Sequence, residues 1–155
     1  MNRTETLQQA VQRFADARIL VVGDIIVDQF IWGTVTRISP EAPVPVVDVT
    51  RQELLLGGSA NVLKNIYSLG GHGALCGVIG ADPMGDKLVE LVSMLPAPVA
   101  GLVRGERPTT VKSRVVAHGQ QVVRFDREER GIPSKKTLDA MIAYLEECLH
   151  EFGAV

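Results

Sequence analysis

The chain has 155 residues, 46% of them hydrophobic and 22% charged, a balance that suits one globular domain, or one and part of a second. Its 16 basic and 18 acidic residues leave a net charge of −2, which offers no field to nucleic acid or an anionic membrane surface. The cysteines, Cys76 and Cys148, make neither a disulfide framework nor a metal spacing, so a reduced, cytoplasmic protein without a metal site is expected.

Residues 4–16 carry Leu7, Val11 and Phe14 at helical spacing, in an amphipathic, charged segment that lacks the apolar core of a signal peptide. ARILVVGD (17–24) is a near-continuous apolar run, as expected of a strand covered on both faces. VDQFIWGTV (27–35) alternates and predicts a strand. RISPEAPVPVV (37–47) holds Pro40, Pro43 and Pro45; it must be extended or looped and can pair only at an edge. VVDVTRQELLLGG then predicts one or two strands.

Ser59–Leu69 predicts a helix with Val62, Ile66 and Leu69 inward, stopped by Gly70-Gly71. ALCGVIG (74–80) predicts a second buried strand. Asp82 is an N-cap and Pro83 a first helical residue for a helix running to about Leu95. The apolar stretch from Leu91 to Val103 is broken by Pro96 and Pro98, too short to span a membrane. Residues 109–126 read as a hairpin about a His118-Gly119 turn. Ser134 caps a helix over 135–152 with Leu138, Met141, Ile142, Leu145 and Leu149 on its apolar side.

Buried strands alternating with helices predict an α/β domain with a largely parallel sheet. The Pro-rich segment and the hairpin break that alternation and read as a separate antiparallel flap. Gly153-Ala154-Val155 resembles the first residues of another strand, so the expectation is the N-terminal part of a longer protein.

Gly57-Gly58 falls where a strand hands over to a helix. Two glycines there can adopt positive φ and bare the backbone to a ligand, next to the unpaired N–H groups of a helix start. Asn61, a turn further on, both donates and accepts, which suits a polyhydroxyl ligand. The same pair also suits a tight turn with close helix–sheet packing. Neither a P-loop nor a dinucleotide fingerprint is present. The first strand ends in Gly23-Asp24, with Asp28 four residues on; open α/β sheets bind ligands beyond the carboxyl ends of their strands. Asp24 reads as a turn cap. Asp28 reads either as a carboxylate for sugar hydroxyls or as a solvated strand-end charge.

Together, VVGDIIVDQFIWG, RISPEAPVPVV, GGSANVLKNIYSLG, GVIGADPMGDKL and PTTVKSRVVAHGQQVVRFDRE, in that order, resemble the N-terminal part of a ribokinase (PfkB) family sugar kinase. RISPEAPVPVV and TTVKSRVVAHGQQVVRFD are narrower and resemble the heptose 7-phosphate kinases within that family. The resemblance implies a ribokinase-like α/β fold: a mostly parallel sheet flanked by helices, with a small β lid made of residues of about 36–56 and 109–126. It implies that the chain is truncated on the C-terminal side, without the ATP-binding half. It also implies a homodimer through the lid, in line with the apolar side Val44, Val46, Val115 and Val123.

The reaction implied is ATP-dependent phosphorylation of the anomeric hydroxyl of D-glycero-D-manno-heptose 7-phosphate, a step of lipopolysaccharide core synthesis. A non-catalytic sugar-binding or dimerisation module, or a kinase for another sugar, is the alternative. Asp28 matches the family's sugar-hydroxyl carboxylate, and Gly57, Gly58 and Asn61 its Gly-Gly-x-x-Asn. Lys112, Arg114 and Arg124 on the hairpin are candidates for the substrate's phosphate or a solvated face. One of Gln120 and Gln121 is expected to point inward, with Gln121 the candidate site residue. Arg37 and Glu41 either order the lid or lie on the surface. The family's catalytic aspartate lies in a Gly-Ala-Gly-Asp-like motif that these residues do not contain. No catalytic residue is therefore expected here, nor any bound cofactor, ATP and Mg2+ being needs of the full-length parent.

Overall fold

The computed structural model describes residues 3–155. A parallel sheet of order β1-β4-β5 is built from β1 (Arg18–Val22), β4 (His72–Gly80) and β5 (Leu102–Gly105). Strand β4 is apolar almost throughout because both its faces are covered. On one face Leu75 and Ile79 pack with Leu63 of α2 (Ser59–Ser68) and Leu88 and Val92 of α3 (Pro83–Ser93). On the other, Ala74 and Cys76 join Leu20 under Met141, Tyr144, Leu145 and Cys148 of α4 (Lys135–Cys148). Gly153 and Ala154 extend the sheet beyond β1: Gly153 N donates to Arg18 O and Leu20 N to Ala154 O, both at 2.9 Å.

A second sheet, of order β3-β2-β6-β7, contains β2 (Ile25–Ile38), β3 (Pro45–Gly58), β6 (Thr110–Ala117) and β7 (Gln120–Arg127). The flap expected to be a separate antiparallel element does form a sheet of its own, but it is not antiparallel throughout. Its two hairpins are antiparallel, but β2 pairs with β6 in parallel register from Ile26↔Thr110 to Gly33↔Ala117. Its base shares the main core through Ile25, Val27, Leu56 and Val111, since each long strand leaves one apolar end beside the parallel sheet. Pro45 opens β3, an edge strand, where a missing ladder donor is tolerated. His118 and Gly119 both have positive φ (52° and 75°), as a two-residue type I′ hairpin turn requires.

The helices differ from expectation in facing. Helix α1 (Arg3–Gln12) passes into a 3-10 turn over Arg13–Asp16, and Leu7 and Val11 lie 61% and 60% exposed. In α2 the inward residues are Ala60 and Leu63, while Val62 and Leu69 face solvent. In α4, Thr137, Met141, Tyr144, Leu145 and Cys148 face the sheet, and Ile142 and Leu149 point away. Apolar periodicity alone is ambiguous within these stretches, because both helices carry more apolar residues than one face holds. Strand β5 was not anticipated: it has only four residues and follows the loop that begins at Pro96 and Pro98.

Candidate functional site

The site begins where β3 ends. Gly58 has φ +56°, and a Cβ there would stand 2.4 Å from Asp24 O. That carbonyl accepts from both the N–H and the hydroxyl of Ser59, each at 2.9 Å. Gly58 is thus the tight turn that lets α2 start against the loop after β1. The expected capping by Asp24 is made by its main chain, and the residue also borders the cleft below.

Gly57 has a different reason. A Cβ at Gly57 would fall 2.5 Å from Asp28 Oδ2. The bare backbone at Gly57 is therefore what allows the carboxylate of Asp28 to lie over it. Arg114 reaches the other oxygen, Nη1 to Oδ1 at 2.5 Å, with both side chains about a quarter exposed (24% and 25%). Asn61 lies exposed on the first turn of α2 beyond this pair.

Register explains the neighbours. Directly paired residues share a face of a sheet, and Asp28 pairs with Lys112, Phe30 with Arg114, and Arg114 with Arg124. One face of the second sheet therefore gathers Asp28, Lys112, Arg114 and Arg124. Gln121 pairs with Val116 and shares that face; Gln120 pairs with Ala117 on the other.

Most of these cations are already engaged. Lys112 Nζ lies 3.5 Å from Asp126 and 3.3 Å from Glu128. Arg124 holds Asp126 through Nε and Nη2, at 2.9 and 2.8 Å. That bond raises the Arg124 pKa and lowers that of Asp126. The Arg130 guanidinium, then Lys112, lowers the Glu128 carboxyl. Phe30 and Trp32 stack at 5.4 Å, with Arg114 over Phe30 and Arg51 over Trp32. Of the two segment residues considered for ordering the lid, Glu41 donates its N–H to Ser39 Oγ, and Arg37 sits exposed at the end of β2.

Beside this face a cleft of about 360 Å³ is lined by Asp24, Ile26, Arg107, Thr110, Lys112 and residues 128–131. A second, of about 290 Å³, shares Asp24, Arg107, Thr110, Glu129 and Gly131 and runs past the carboxyl end of β1 under Leu138 and Met141. This is the expected location for a ligand on an α/β sheet. Two residues that frame it were not anticipated. Ser134 caps α4 by accepting from Thr137 N at 3.3 Å, and Glu106 braces that cap, accepting from the N–H and hydroxyl of Ser134 at 2.8 and 3.0 Å and from the Thr137 hydroxyl at 2.9 Å. Arg107 follows it into both clefts. The sequence signal for either was weak, since Glu106 braces the Ser134 cap from 28 residues away.

Asp82 does cap α3, accepting from Gly85 N at 2.8 Å. It also accepts from the N–H and hydroxyl of Thr109, each at 2.8 Å, tying α3 to the start of β6. Burial works to raise its pKa, but the donors of Thr109, Gly85 and Met84 together outweigh it and hold it low. Among the described residues, no group of three or more His, Cys, Asp or Glu is placed to hold a metal ion. No helix among them is long and apolar enough to cross a membrane.

Residues 16–150 match the family of pfkB carbohydrate kinases. The chain is 45% identical over 138 residues to the bifunctional protein HldE of Wolinella succinogenes, covering 88% of this chain and 29% of that protein. It is 43% identical over 148 residues to the D-beta-D-heptose 7-phosphate kinase of Bordetella bronchiseptica, covering 96% of this chain and 47% of that protein. It therefore spans less than half the length of these relatives. Ribokinase from Thermotoga maritima shares the fold with a TM-score of 0.56 at 22% identity, over 72% of this chain and 36% of that one. Ribokinase from Cryptococcus neoformans in complex with ADP does so with a TM-score of 0.52 at 18% identity, over 84% of this chain and 44% of that one. The ribokinase-like architecture and the match over residues 16–150 together assign this chain to the pfkB family of carbohydrate kinases.

Proposed function

We propose that residues 1–155 form the sugar-binding and lid portion of an ATP-dependent kinase acting on D-glycero-D-manno-heptose 7-phosphate. The product is the 1,7-bisphosphate, an intermediate for lipopolysaccharide core. The observation that carries this reading is the Asp28 carboxylate held over Gly57, with Gly58 and the first turn of α2 beside it. A carboxylate accepts from adjacent hydroxyls, while Asn61 and the free N–H groups of a helix start donate to them. The names of the relatives supply the sugar.

Phosphoryl transfer needs a positioned acceptor and charge stabilisation at the transferred group. In this reading the present residues meet the first need. Asp28, Gly57, Gly58 and Asn61 bind and orient the sugar. Lys112, Arg114, Gln121 and Arg124 form the lid wall above it, and Arg114 holds Asp28 in place. The second need falls to ATP with Mg2+ and to an aspartate carried elsewhere on a longer polypeptide. Such a kinase works in the cytoplasm, where ATP is supplied.

The test is Asp28→Asn in the full-length kinase. The amide keeps the shape but loses charge-assisted acceptance, worth about 1.5–3 kcal/mol. Turnover per KM for the heptose phosphate is expected to fall roughly 10- to 150-fold with the melting curve retained. Unchanged steady-state kinetics would remove Asp28 from the site.

A further inference from the structure

The hairpin cations have carboxylate partners close at hand. Of the basic side chains lining the 360 Å³ cleft, Lys112 pairs with Asp126 and Glu128, and Arg130 pairs with Glu128 at 2.7 Å. Arg114 outside it pairs with Asp28, and Arg124 with Asp126. Arg107 is the exception: among the described residues it has no carboxylate within 4.0 Å and no side-chain hydrogen bond, yet it lines both clefts and is half-buried. Its guanidinium stands next to Gly131, where a Cβ would lie 3.4 Å from Nη2. A guanidinium in a concave, partly desolvated site with its donor fork unspent suits a phosphate monoester.

We propose that Arg107 is the residue that recognises the phosphate of the sugar-phosphate substrate, in place of the hairpin cations. The inference rests on the reading above that the ligand is a sugar phosphate bound at Asp28. Ile26, which lines the cleft with Arg107, precedes Asp28 by two residues on the same face of β2, about 7 Å along the strand, so the cleft opens beside the Asp28 carboxylate. Asp24 and Glu129 share the cleft; they repel a second anion and accept from hydroxyls, so the cleft selects a ligand with one phosphate and several hydroxyls. Arg107 specifies the substrate and touches no reacting atom.

The full-length kinase is titrated by calorimetry with heptose 7-phosphate, dephosphorylated heptose and ADP, as wild type, Arg107→Met, Arg107→Lys and Asp28→Asn. Wild type is expected to prefer the phosphorylated sugar by about 10- to 100-fold. Arg107→Met erases that preference and leaves the affinity for dephosphorylated heptose intact, Arg107→Lys restores part of it, and Asp28→Asn weakens both sugars alike. Thermal melting confirms that each variant folds. A preference that survives in Arg107→Met overturns the assignment and leaves the kinase reading standing. So does a loss confined to ADP, which makes Arg107 a nucleotide contact. Binding of neither sugar by wild type overturns the proposal together with the reading beneath it.

Discussion

At the scale of single residues, the two adjacent glycines do unlike jobs. Gly57 has ordinary backbone geometry and is needed for the space that the Asp28 carboxylate occupies, whereas Gly58 needs its positive φ and its contact with Asp24 O. Alanine separates them. Gly58→Ala is expected to cost about 1–3 kcal/mol of stability, read as a lower urea midpoint with an unchanged slope. Gly57→Ala pushes Asp28 out of position. Its effect is expected chiefly in sugar affinity, as a rise in KM of about 10-fold or more in the full-length kinase. Equal stability losses with no change in KM would make both glycines mere packing residues. A further buried residue carries a plain chemical signature: burial, then the neighbouring Cys148, pushes the Cys76 thiol up to about 11, so it contributes packing rather than nucleophilicity.

At the scale of elements, the clefts depend on how helices are stopped and started. The Ser134 cap of α4 is braced from a distance by Glu106, whose carboxyl is held down to about 2 from an ordinary 4.5. The N–H of Ser134 is the largest cause, followed by Glu106's own N–H and the hydroxyls of Thr137 and Ser134. A depressed carboxyl pKa adds stability above its unfolded value, and that stability is lost as pH falls through the folded one. Melting temperature is therefore expected to drop between about pH 4.5 and 2, reinforced by Asp82, which is also held low. Glu106→Gln should flatten that part of the wild-type profile and leave the two curves parallel above pH 5. Parallel curves throughout would mean that the ionisation of Glu106 adds nothing to stability.

At the scale of the whole molecule, the second sheet has two faces of opposite character. The face away from Asp28 carries Val115 paired with Val123 and Ser113 paired with Phe125. Val49, Val123 and Phe125 are about half exposed there, at 52%, 49% and 52%. Contiguous apolar area of this kind marks an association surface, and β3 and β7 leave edges that invite pairing. The homodimer through the lid that the family resemblance implies would bring two lids together on this face. Phe125→Asp should shift sedimentation from dimer to monomer at micromolar concentration while the circular dichroism spectrum is kept. A wild-type chain that sediments as monomer at all accessible concentrations would dismiss that assembly. The lid face with Asp28 and Arg114 is unaffected by this substitution, so sugar binding to the monomer serves as its internal control.

Local chemistry was enough to read much of this protein. The buried strands around Leu20 and Leu75, the Asp82 and Ser134 caps, the His118-Gly119 turn and the glycine pair are each written into a few neighbouring residues. Their physics acts over one turn or one strand, so it needs no tertiary partner to be seen. Which helical face is buried, by contrast, was settled only by packing: Val62 and Ile142 have the hydrophobicity but not the neighbours. The parallel β2–β6 pairing, which unites two hairpins into one lid, joins residues more than 80 apart and leaves no local trace. The same long-range pairing brings Arg114 to Asp28, the β6–β7 hairpin ties Lys112 and Arg124 to carboxylates of its own, and Arg107 lies in the cleft with none. Charge inventory is a property of sequence, but which charges remain available to a ligand depends on distances that only the folded chain sets.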